Sequence, residues 1–282
     1  MNSRYIHIGA WNIEHFGNKE DSNDENQYAL AEHIELAGVD VLAMQELYIT
    51  DIGNFTNNDL EKALELVQEH TGHKWKYEIF QNRNPEDTSQ LCGIAWNDDR
   101  VKKVGETYPI NVDYTIDFRG ETLWLWDRRP HAIKFSAGEG KTDFAVVSLH
   151  MKANTGSPYI DRKKRHAEVM TLLDELSNIK KTVKEEDIIF LGDTNCKGRS
   201  EDAIRAFVEA GFDDLNEDDT TTYVKGNSAP FDRIFVPRTE QSKTFKYSRQ
   251  YVMKASDHLA HDKYLSDHYV IKTSIKVRTD ND

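Results

Sequence analysis

Short apolar or alternating runs recur along the whole chain, and they constrain its fold more than any other feature. Runs of this kind, bounded by polar segments, are typical of β-strands in a folded core. They lie at residues 5–11, 39–44, 91–96, 132–135, 144–149, 188–191, 231–236 and 269–277. The sequence therefore predicts at least eight strands.

Helical patterns separate several of these runs. Apolar residues at amphipathic spacing predict one helix around residues 60–67 and another around residues 169–179. A third helix is predicted to begin at Ser200, which can cap it, and to end at Gly211. No internal repeat and no linker rich in proline or serine interrupts the chain, so we expect residues 1–282 to form a single α/β domain.

The charge balance limits the kinds of partner that the chain can have. Lysine and arginine number 36 against 49 aspartate and glutamate residues, for a formal net charge of -13. Such a chain has no broad basic surface, and any contact with a polyanion must be local. An acidic protein is also compatible with a hydrolase whose carboxylates bind hard cations.

Targeting and disulfide signals are weak. The first residues lack the basic segment, apolar stretch and cleavage site of a signal peptide, and no long apolar run follows. Cys92 and Cys196 are the two cysteines, too few for a disulfide framework or a structural zinc site. We therefore expect a soluble, cytoplasmic protein.

Polar residues with possible chemical roles follow several apolar runs at their carboxyl ends. They are Asn12, Glu14, Gln45, Glu46, His150, Asp193 and Asn195. If neighbouring strands run in the same direction, these side chains collect at one rim around a single cleft. Carboxylate and amide oxygens suit Mg²⁺, Mn²⁺ or Ca²⁺, so the rim is a candidate site for a hard cation.

Six short motifs occur in an order that resembles one known superfamily. They read AWN at 10–12, MQE at 44–46, SLHMK at 148–152, GDTN at 192–195, FDRIF at 231–235 and SDH at 266–268. In this order they resemble the endonuclease/exonuclease/phosphatase superfamily. The resemblance implies a four-layer αββα sandwich of two mixed β-sheets. A catalytically silent scaffold is the alternative from another class, and it should show broken motifs, whereas these motifs are intact.

The resemblance also implies roles for individual residues. Glu46 matches the principal metal-binding carboxylate, with Asn12 beside it and Asp267 on the opposite side, and the implied cofactor is Mg²⁺, with Mn²⁺ or Ca²⁺ as alternatives. Asp193 would orient or deprotonate the attacking water. Asn195 would donate hydrogen bonds to oxygens whose charge grows in the transition state.

Two histidines and two arginines complete the implied site. His268 would pair with Asp232, which orients the ring, and His150 would supply a second imidazole. The sequence does not assign the acid and base roles between the two rings. Arg128 resembles an arginine that contacts the DNA backbone in pancreatic-type deoxyribonucleases, with Arg129 as the rival position.

Other polar and aromatic residues receive structural interpretations. Glu78 is the nearest candidate to support His150. The basic run at 162–165 is interpreted as a solvated face, Trp124 and Trp126 as strand packing, and Cys196 as a bystander. The remaining histidines are interpreted as surface or packing residues: His7, His15, His33, His70, His73, His131, His166, His258 and His261.

The implied function is hydrolysis of phosphodiester bonds in nucleic acid by a metal-activated water, with a DNA endonuclease favoured. GDTN, FDRIF and SDH also resemble the 5′-tyrosyl-DNA phosphodiesterases. APFDRI resembles, less closely, the inositol-polyphosphate 5-phosphatases, so a small-molecule phosphatase is a further alternative. Apolar membrane-contacting loops are not evident, and we expect a monomer that acts on DNA and does not bind membranes.

Overall fold

Two mixed β-sheets form the centre of the computed structural model, which describes residues 4–18, 27–118, 120–225, 229–238 and 243–280. In spatial order the first sheet contains β13 (Tyr251–Val252), β14 (Ile271–Lys276), β1 (Tyr5–Phe16), β2 (Val41–Leu47), β4 (Leu91–Asn97) and β3 (Trp75–Ile79). The second contains β11 (Phe212–Asp214), β12 (Asp232–Pro237), β10 (Ile188–Asp193), β9 (Asp143–His150), β8 (His131–Ser136) and β5 (Lys102–Pro109). A separate hairpin pairs β6 (Thr115–Phe118) with β7 (Glu121–Trp124).

Helices cover the outer faces of the two sheets. They are α1 (Gln27–Ala37), α2 (Asn58–Thr71), α3 (Pro158–Asp174), α4 (Leu176–Val183), α5 (Asp202–Glu209) and α6 (His258–Tyr264), with a short 3₁₀ turn at Lys243–Phe245. The first two pack on the first sheet, and α3, α4 and α5 pack on the second. No helix in the described part of the chain is both long and apolar enough to cross a membrane.

The alternation of side chains along each central strand produces the layers. On β9, Phe144 and Val146 point into the core between the sheets, whereas Ala145 and Val147 point toward the helices. Both faces of such a strand are buried, which explains why the sequence shows continuous apolar runs instead of strict alternation. The predicted four-layer αββα sandwich of two mixed sheets is confirmed.

Parallel pairing brings the polar strand ends together. Strand β1 runs parallel to β2, and β9 runs parallel to β10, so that His150 is the register partner of Asp193. Two hydrogen bonds join the sheets at this rim: Asn12 Nδ2 donates to Asp193 Oδ2 over 3.1 Å, and Gln45 Nε2 donates to Ser148 Oγ over 3.0 Å. The expected gathering of these residues at one edge is confirmed.

Gly192 makes the approach of β10 to β9 possible. Its φ angle is 138°, and a Cβ atom at this position would lie 2.2 Å from the carbonyl oxygen of Leu149. Only glycine fits a backbone in this conformation and this close to a neighbouring carbonyl. The GDTN motif therefore contains a structural requirement as well as chemical groups.

Several predicted boundaries were wrong. The helix predicted around residues 169–179 divides at Glu175 into α3 and α4, and α5 has Glu201 instead of Ser200 at its N-cap. Strands at the sheet edges were missed because they carry few buried residues; β5, for example, is largely exposed. A strand with one solvated edge does not need the apolar run that identifies a central strand.

Candidate active site

An open cleft of about 830 Å³ lies at the carboxyl ends of the central strands. Residues that the motifs predicted line much of it: Glu46, Arg128, His150, Asp193, Asn195, Asp267 and His268. Asn12 and Asp232 are buried behind this surface and hydrogen-bond to residues that line it. The structure thus brings nine of the ten predicted site residues together, and Arg129 is the exception.

Asn12 links the two carboxylates that face each other across the sheets. Its Nδ2 donates to Glu46 Oε1 over 3.0 Å and to Asp193 Oδ2 over 3.1 Å, while its Oδ1 accepts from the Glu14 backbone over 3.1 Å. The amide nitrogen, rather than the oxygen, therefore faces the carboxylates. Asn12 fixes the separation of Glu46 and Asp193 in this arrangement.

Five cleft residues other than glycine have left-handed backbone conformations. The φ angles are 40° at Glu14, 56° at His15, 65° at Glu46, 48° at Gln90 and 54° at Asn195. Such conformations cost about 1–3 kcal/mol each and cluster at functional sites. In β1 the strained residues lie where its pairing with β2 shifts register between Asn12 and Phe16.

Asp193 is buried among hydrogen-bond donors. Asn195 donates to it twice, from its backbone nitrogen over 2.8 Å and from Nδ2 over 3.1 Å. Burial raises the pKa of Asp193 to about 7, although the charge of His268 acts in the opposite direction. The predicted proximity of Asp193 and Asn195 is present in the structure.

His268 and Asp232 form a buried pair. His268 Nδ1 lies 2.8 Å from Asp232 Oδ2, so the ring presents Nε2 toward the cleft. Burial alone would lower the pKa of His268, but the charge and hydrogen bond of Asp232 raise it to about 10. The pairing expected for His268 of the SDH motif and Asp232 of the FDRIF motif is present.

His150 faces the carboxylates from β9. Its Nε2 lies 3.7 Å from Glu46 Oε1 and 3.8 Å from Asp193 Oδ2. Burial, followed by the charge of Arg128, holds the pKa of His150 well below its usual value. The surroundings therefore favour a neutral ring at His150 and a charged ring at His268.

The proposed support of His150 by Glu78 was wrong. Glu78 lies on β3, where its carboxylate binds Lys103 and Thr107 instead. Among the described residues, no hydrogen-bond partner reaches the buried Nδ1 of His150. The orientation of this ring therefore depends on packing and on the contacts of Nε2.

His15 was wrongly dismissed as a surface or packing residue. Its Nε2 lies 3.1 Å from Glu46 Oε2 and 2.9 Å from Gln90 Nε2. Gln90 Oε1 in turn accepts a hydrogen bond from the guanidinium of Arg128. His15 therefore belongs to a chain of polar contacts along the cleft that ends at Arg128.

The two arginines of the WDRRP segment have different positions. Arg128 lines the cleft, whereas the guanidinium of Arg129 forms an ion pair with Asp113. The Arg129 backbone nitrogen also donates to Asn82 over 3.3 Å. Arg128 is therefore the arginine of this segment that a substrate in the cleft can reach.

Lys225 contacts the Asp267 side of the cleft. Its Nζ lies 2.6 Å from Glu14 Oε1, 3.1 Å from Asp262 Oδ1 and 3.5 Å from Asp267 Oδ2. Burial alone would lower the pKa of Lys225, but the hydrogen bond to Glu14 and the charge of Asp267 raise it. The lysine is thus a fixed positive charge in this half of the site.

The basic run at 162–165 is only partly solvated. Lys164 and Arg165 are buried, where Lys164 pairs with Asp127 and Arg165 Nη2 lies 2.8 Å from Glu201 Oε2. Their partners lie far away in sequence, so the run alone does not reveal the burial. The interpretation as a solvated face was wrong for these two residues.

The remaining structural interpretations have mixed outcomes. Trp126 is buried and donates from Nε1 to the Glu168 carbonyl, as expected for packing. Trp124 is half exposed on the hairpin, with the Arg83 guanidinium 3.9 Å above its ring. Burial raises the pKa of the Cys196 thiol to about 12, which is compatible with its interpretation as a bystander.

The donor atoms of the cleft fit a divalent cation. Ligand atoms of Glu46, His150 and Asp193 all lie within 4.8 Å of one another. Carboxylate oxygens are the preferred donors for Mg²⁺ and Mn²⁺, and an imidazole nitrogen is acceptable to Mn²⁺. The side chain of Glu46 is also partly accessible from the cleft, as an entering ion requires.

Sequence reasoning missed further residues of the cleft, among them His15, Gln90 and Lys225. His15 directly follows the AWN motif and Glu14, and that adjacency is a usable signal. Gln90 and Lys225 enter from loops between strands, and no motif marks them. Such loop residues can be assigned to the cleft only from the three-dimensional structure.

Comparisons with known proteins agree with this fold. Pig (Sus scrofa) deoxyribonuclease-1 is 25% identical over 293 residues, covering 96% of this chain and 92% of the relative. The human Nocturnin catalytic domain has a TM-score of 0.64 at 17% identity, covering 98% of this chain and 95% of that one. An endonuclease/exonuclease/phosphatase from Bacteroides vulgatus has a TM-score of 0.67 at 14% identity, covering 98% of this chain and 100% of that one.

A humanized D. rerio TDP2 also has a similar fold, with a TM-score of 0.60 at 16% identity, covering 97% of this chain and all of that one. At these identities the structural likenesses establish the fold alone. The family model described as the Endonuclease/Exonuclease/phosphatase family matches residues 9–268, and this range includes all six motifs. The chain therefore belongs to the endonuclease/exonuclease/phosphatase family.

Proposed function

We propose that the protein is a divalent-metal-dependent phosphodiesterase that cleaves DNA internally. The observation that carries the proposal is the convergence of Glu46, Asp193, His150 and the Asp232–His268 pair on one open cleft. This set combines a cation site, a water-orienting carboxylate and two imidazoles, the groups that hydrolysis of a phosphodiester requires.

Glu46 would hold the ion, with Asp193 and His150 beside it and Asn12 bracing the two carboxylates. When bound, a divalent ion supplies Lewis-acid polarisation of the phosphate and lowers the pKa of a bound water. Arg128 lines the same cleft, where its guanidinium would bind a non-bridging oxygen or a neighbouring phosphate. The chain thus offers positive charge where a dianionic transition state develops.

Asp193 is suited to orient the attacking water. Its carboxylate is fixed by hydrogen bonds from Asn12 and Asn195, and it lines the cleft. A buried carboxylate whose pKa is raised to about 7 by desolvation can accept a proton near neutral pH. Asn195 lies beside Asp193 and would donate hydrogen bonds to the phosphate oxygens whose negative charge grows in the transition state.

The His268 ring is suited to donate a hydrogen bond from Nε2 to a phosphate oxygen. Asp232 occupies Nδ1, so Nε2 is the nitrogen that remains for the cleft. His150 also approaches Asp193, with Nε2 3.8 Å from its Oδ2. Both rings would therefore lie near the water that Asp193 holds.

Likeness to deoxyribonuclease-1 supports DNA as the substrate, since it extends over nearly the whole of both chains. The net charge of -13 argues against binding along a broad basic surface. Contacts are instead expected to concentrate near Arg128 in the cleft. Contacts to the phosphates of the DNA backbone carry no information about base sequence, so we expect cleavage with little sequence preference.

Nicking of supercoiled plasmid tests the proposal. The wild-type protein is incubated with Mg²⁺ or Mn²⁺, with and without EDTA, beside Glu46→Gln and a control, Glu209→Gln, at an exposed position on α5. Loss of a metal-binding carboxylate should reduce the rate by about 10²–10⁴-fold, comparable to loss of other major catalytic groups. The control should match the wild type.

Open-circle product that requires metal and Glu46 would support an endonuclease. An intact plasmid in the presence of both metals would contradict cleavage of internal DNA bonds. Assays with 5′-tyrosyl DNA ends, RNA and phosphorylated small molecules would then identify the substrate class. Equal nicking by Glu46→Gln would contradict the assignment of the active site.

A further inference from the structure

Lys225 occupies a cluster of carboxylates within the cleft. Its ammonium is within 3.5 Å of oxygens from Glu14 on β1 and from Asp262 and Asp267, which lie on α6 and in the SDH motif that follows it. Glu14 is fixed further because its Oε2 accepts a hydrogen bond from the Asp267 backbone over 2.9 Å. The lysine is therefore the centre of an ordered ionic network.

Asp267 is not part of the cation cluster at Glu46. Among the described residues, the groups with ligand atoms within 4.8 Å that lie in the cleft are Glu46–His150–Asp193 and Asp193–Asp232–His268. Asp267 contacts Lys225 instead, and its Oδ1 lies 3.8 Å from His268 Nε2. Both of its carboxylate oxygens thus already face a nitrogen.

Hydrolysis of a phosphodiester benefits from positive charge near both the attacking and the leaving oxygen. Two-metal enzymes supply it with ions about 3.5–4 Å apart. A lysine ammonium is a compact point charge with three donors, and three carboxylates can hold it in place much as they would hold an ion. An ammonium in such a position excludes a metal by charge and by space.

We propose that Lys225 takes the place of a second divalent ion on the Asp267 side, so that the cleft binds one ion, at Glu46. This inference rests on the proposed function and extends it to the number of metal ions. Lys225 then acts as a positioning residue, because it fixes Asp267 and Glu14 and contributes a permanent charge. Its removal leaves three carboxylates, each within 3.5 Å of the ammonium in the wild type, without a counter-charge, and they should recruit a cation from solution.

The number of bound Mn²⁺ ions tests this inference without turnover. Binding is measured by calorimetry and by the electron paramagnetic resonance signal of free Mn²⁺ for wild type, Lys225→Met and Lys225→Arg. Lys197→Met is the control because Lys197 lines the same cleft and its removal changes the charge equally. Lys225 is partly exposed, and circular dichroism verifies that each variant is folded.

We expect one ion in wild type, Lys225→Arg and Lys197→Met, and two in Lys225→Met. Two ions in wild type, or a single ion in Lys225→Met at saturating Mn²⁺, would overturn the role of Lys225. A second ion in Lys197→Met would also overturn it, since any loss of charge would then suffice. No ion in wild type would overturn this inference and the metal dependence of the proposed function together, whereas the other failures leave that function intact.

Discussion

Replacement of Asp232 by asparagine should convert His268 from a charged into a neutral ring without changing the shape of the site. Asp232 is fully buried, and its Oδ2 lies 2.8 Å from His268 Nδ1. An asparagine amide occupies the same volume and still contacts the ring. The negative charge that offsets the burial of the imidazolium is lost, however, so burial should then lower the pKa of His268.

The magnitude follows from the pKa. A rise from 6.5 to about 10 corresponds to about 5 kcal/mol of preference for the charged ring in the folded protein. Because the folded pKa is raised, this stabilisation is complete below pH 6.5 and is lost as the pH rises to about 10. A neutral ring keeps one donor but lacks its charge, so we expect a loss of about 10²–10³-fold in kcat.

Rates of DNA cleavage across a pH series test this reasoning, with Asp202→Asn on the exposed start of α5 as the control. Lower pH protonates Asp193 in every variant, so the informative quantity is the rate relative to wild type. The ratio of the Asp232→Asn rate to the wild-type rate should rise as the pH is lowered, because the ring is protonated again, whereas the ratio for the control should stay constant. A variant rate within about threefold of wild type near neutral pH, or a loss that is equal at every pH, would refute the proposed role of the charged ring.

Three further predictions concern stability in urea. Gly192→Ala should destabilise the fold by more than about 3 kcal/mol or prevent folding, since its Cβ would clash with the Leu149 carbonyl; a loss below about 1 kcal/mol would contradict this. Burial lowers the pKa of His131 to about 4, so the free energy of unfolding should fall by up to about 3 kcal/mol as the pH falls from 6.5 toward 4. His131→Phe should make the free energy of unfolding depend less steeply on pH in this range, and an unchanged dependence would contradict this. Arg165→Leu should cost about 3–5 kcal/mol because it leaves buried Glu201 with only the 3.9 Å contact of exposed Arg162. Arg162→Leu should change stability by about 0.5 kcal/mol or less, and equal effects of the two substitutions would contradict this.

The central strands and the main site residues were predictable because buried parallel strands leave a strong signal. Both faces of β2, β9 and β10 are covered, which requires continuous apolar runs, and their chemical groups follow at the carboxyl ends. Glu46, His150 and Asp193 could therefore be located from the sequence. The edge strands and the hairpin could not, because few of their side chains enter a core.

Contacts between distant segments were not predictable from local patterns. Gln90 reaches His15 across 75 positions, and Lys225 reaches Glu14 across 211. Sequence patterns indicate which strand a residue follows but not which loop side chains meet across the cleft. The burial of Arg165 was missed for the same reason, since its glutamate partner is 36 positions away.

The central claim is that one ion at Glu46 enables hydrolysis of DNA in this cleft. The most direct test follows Mn²⁺ binding and plasmid nicking in the same titration for wild type, Glu46→Gln and Glu209→Gln. We predict that binding and nicking rise together in wild type and in Glu209→Gln, and that both are lost in Glu46→Gln. Nicking that saturates without bound Mn²⁺, or Mn²⁺ binding that is unchanged in Glu46→Gln, would contradict the account.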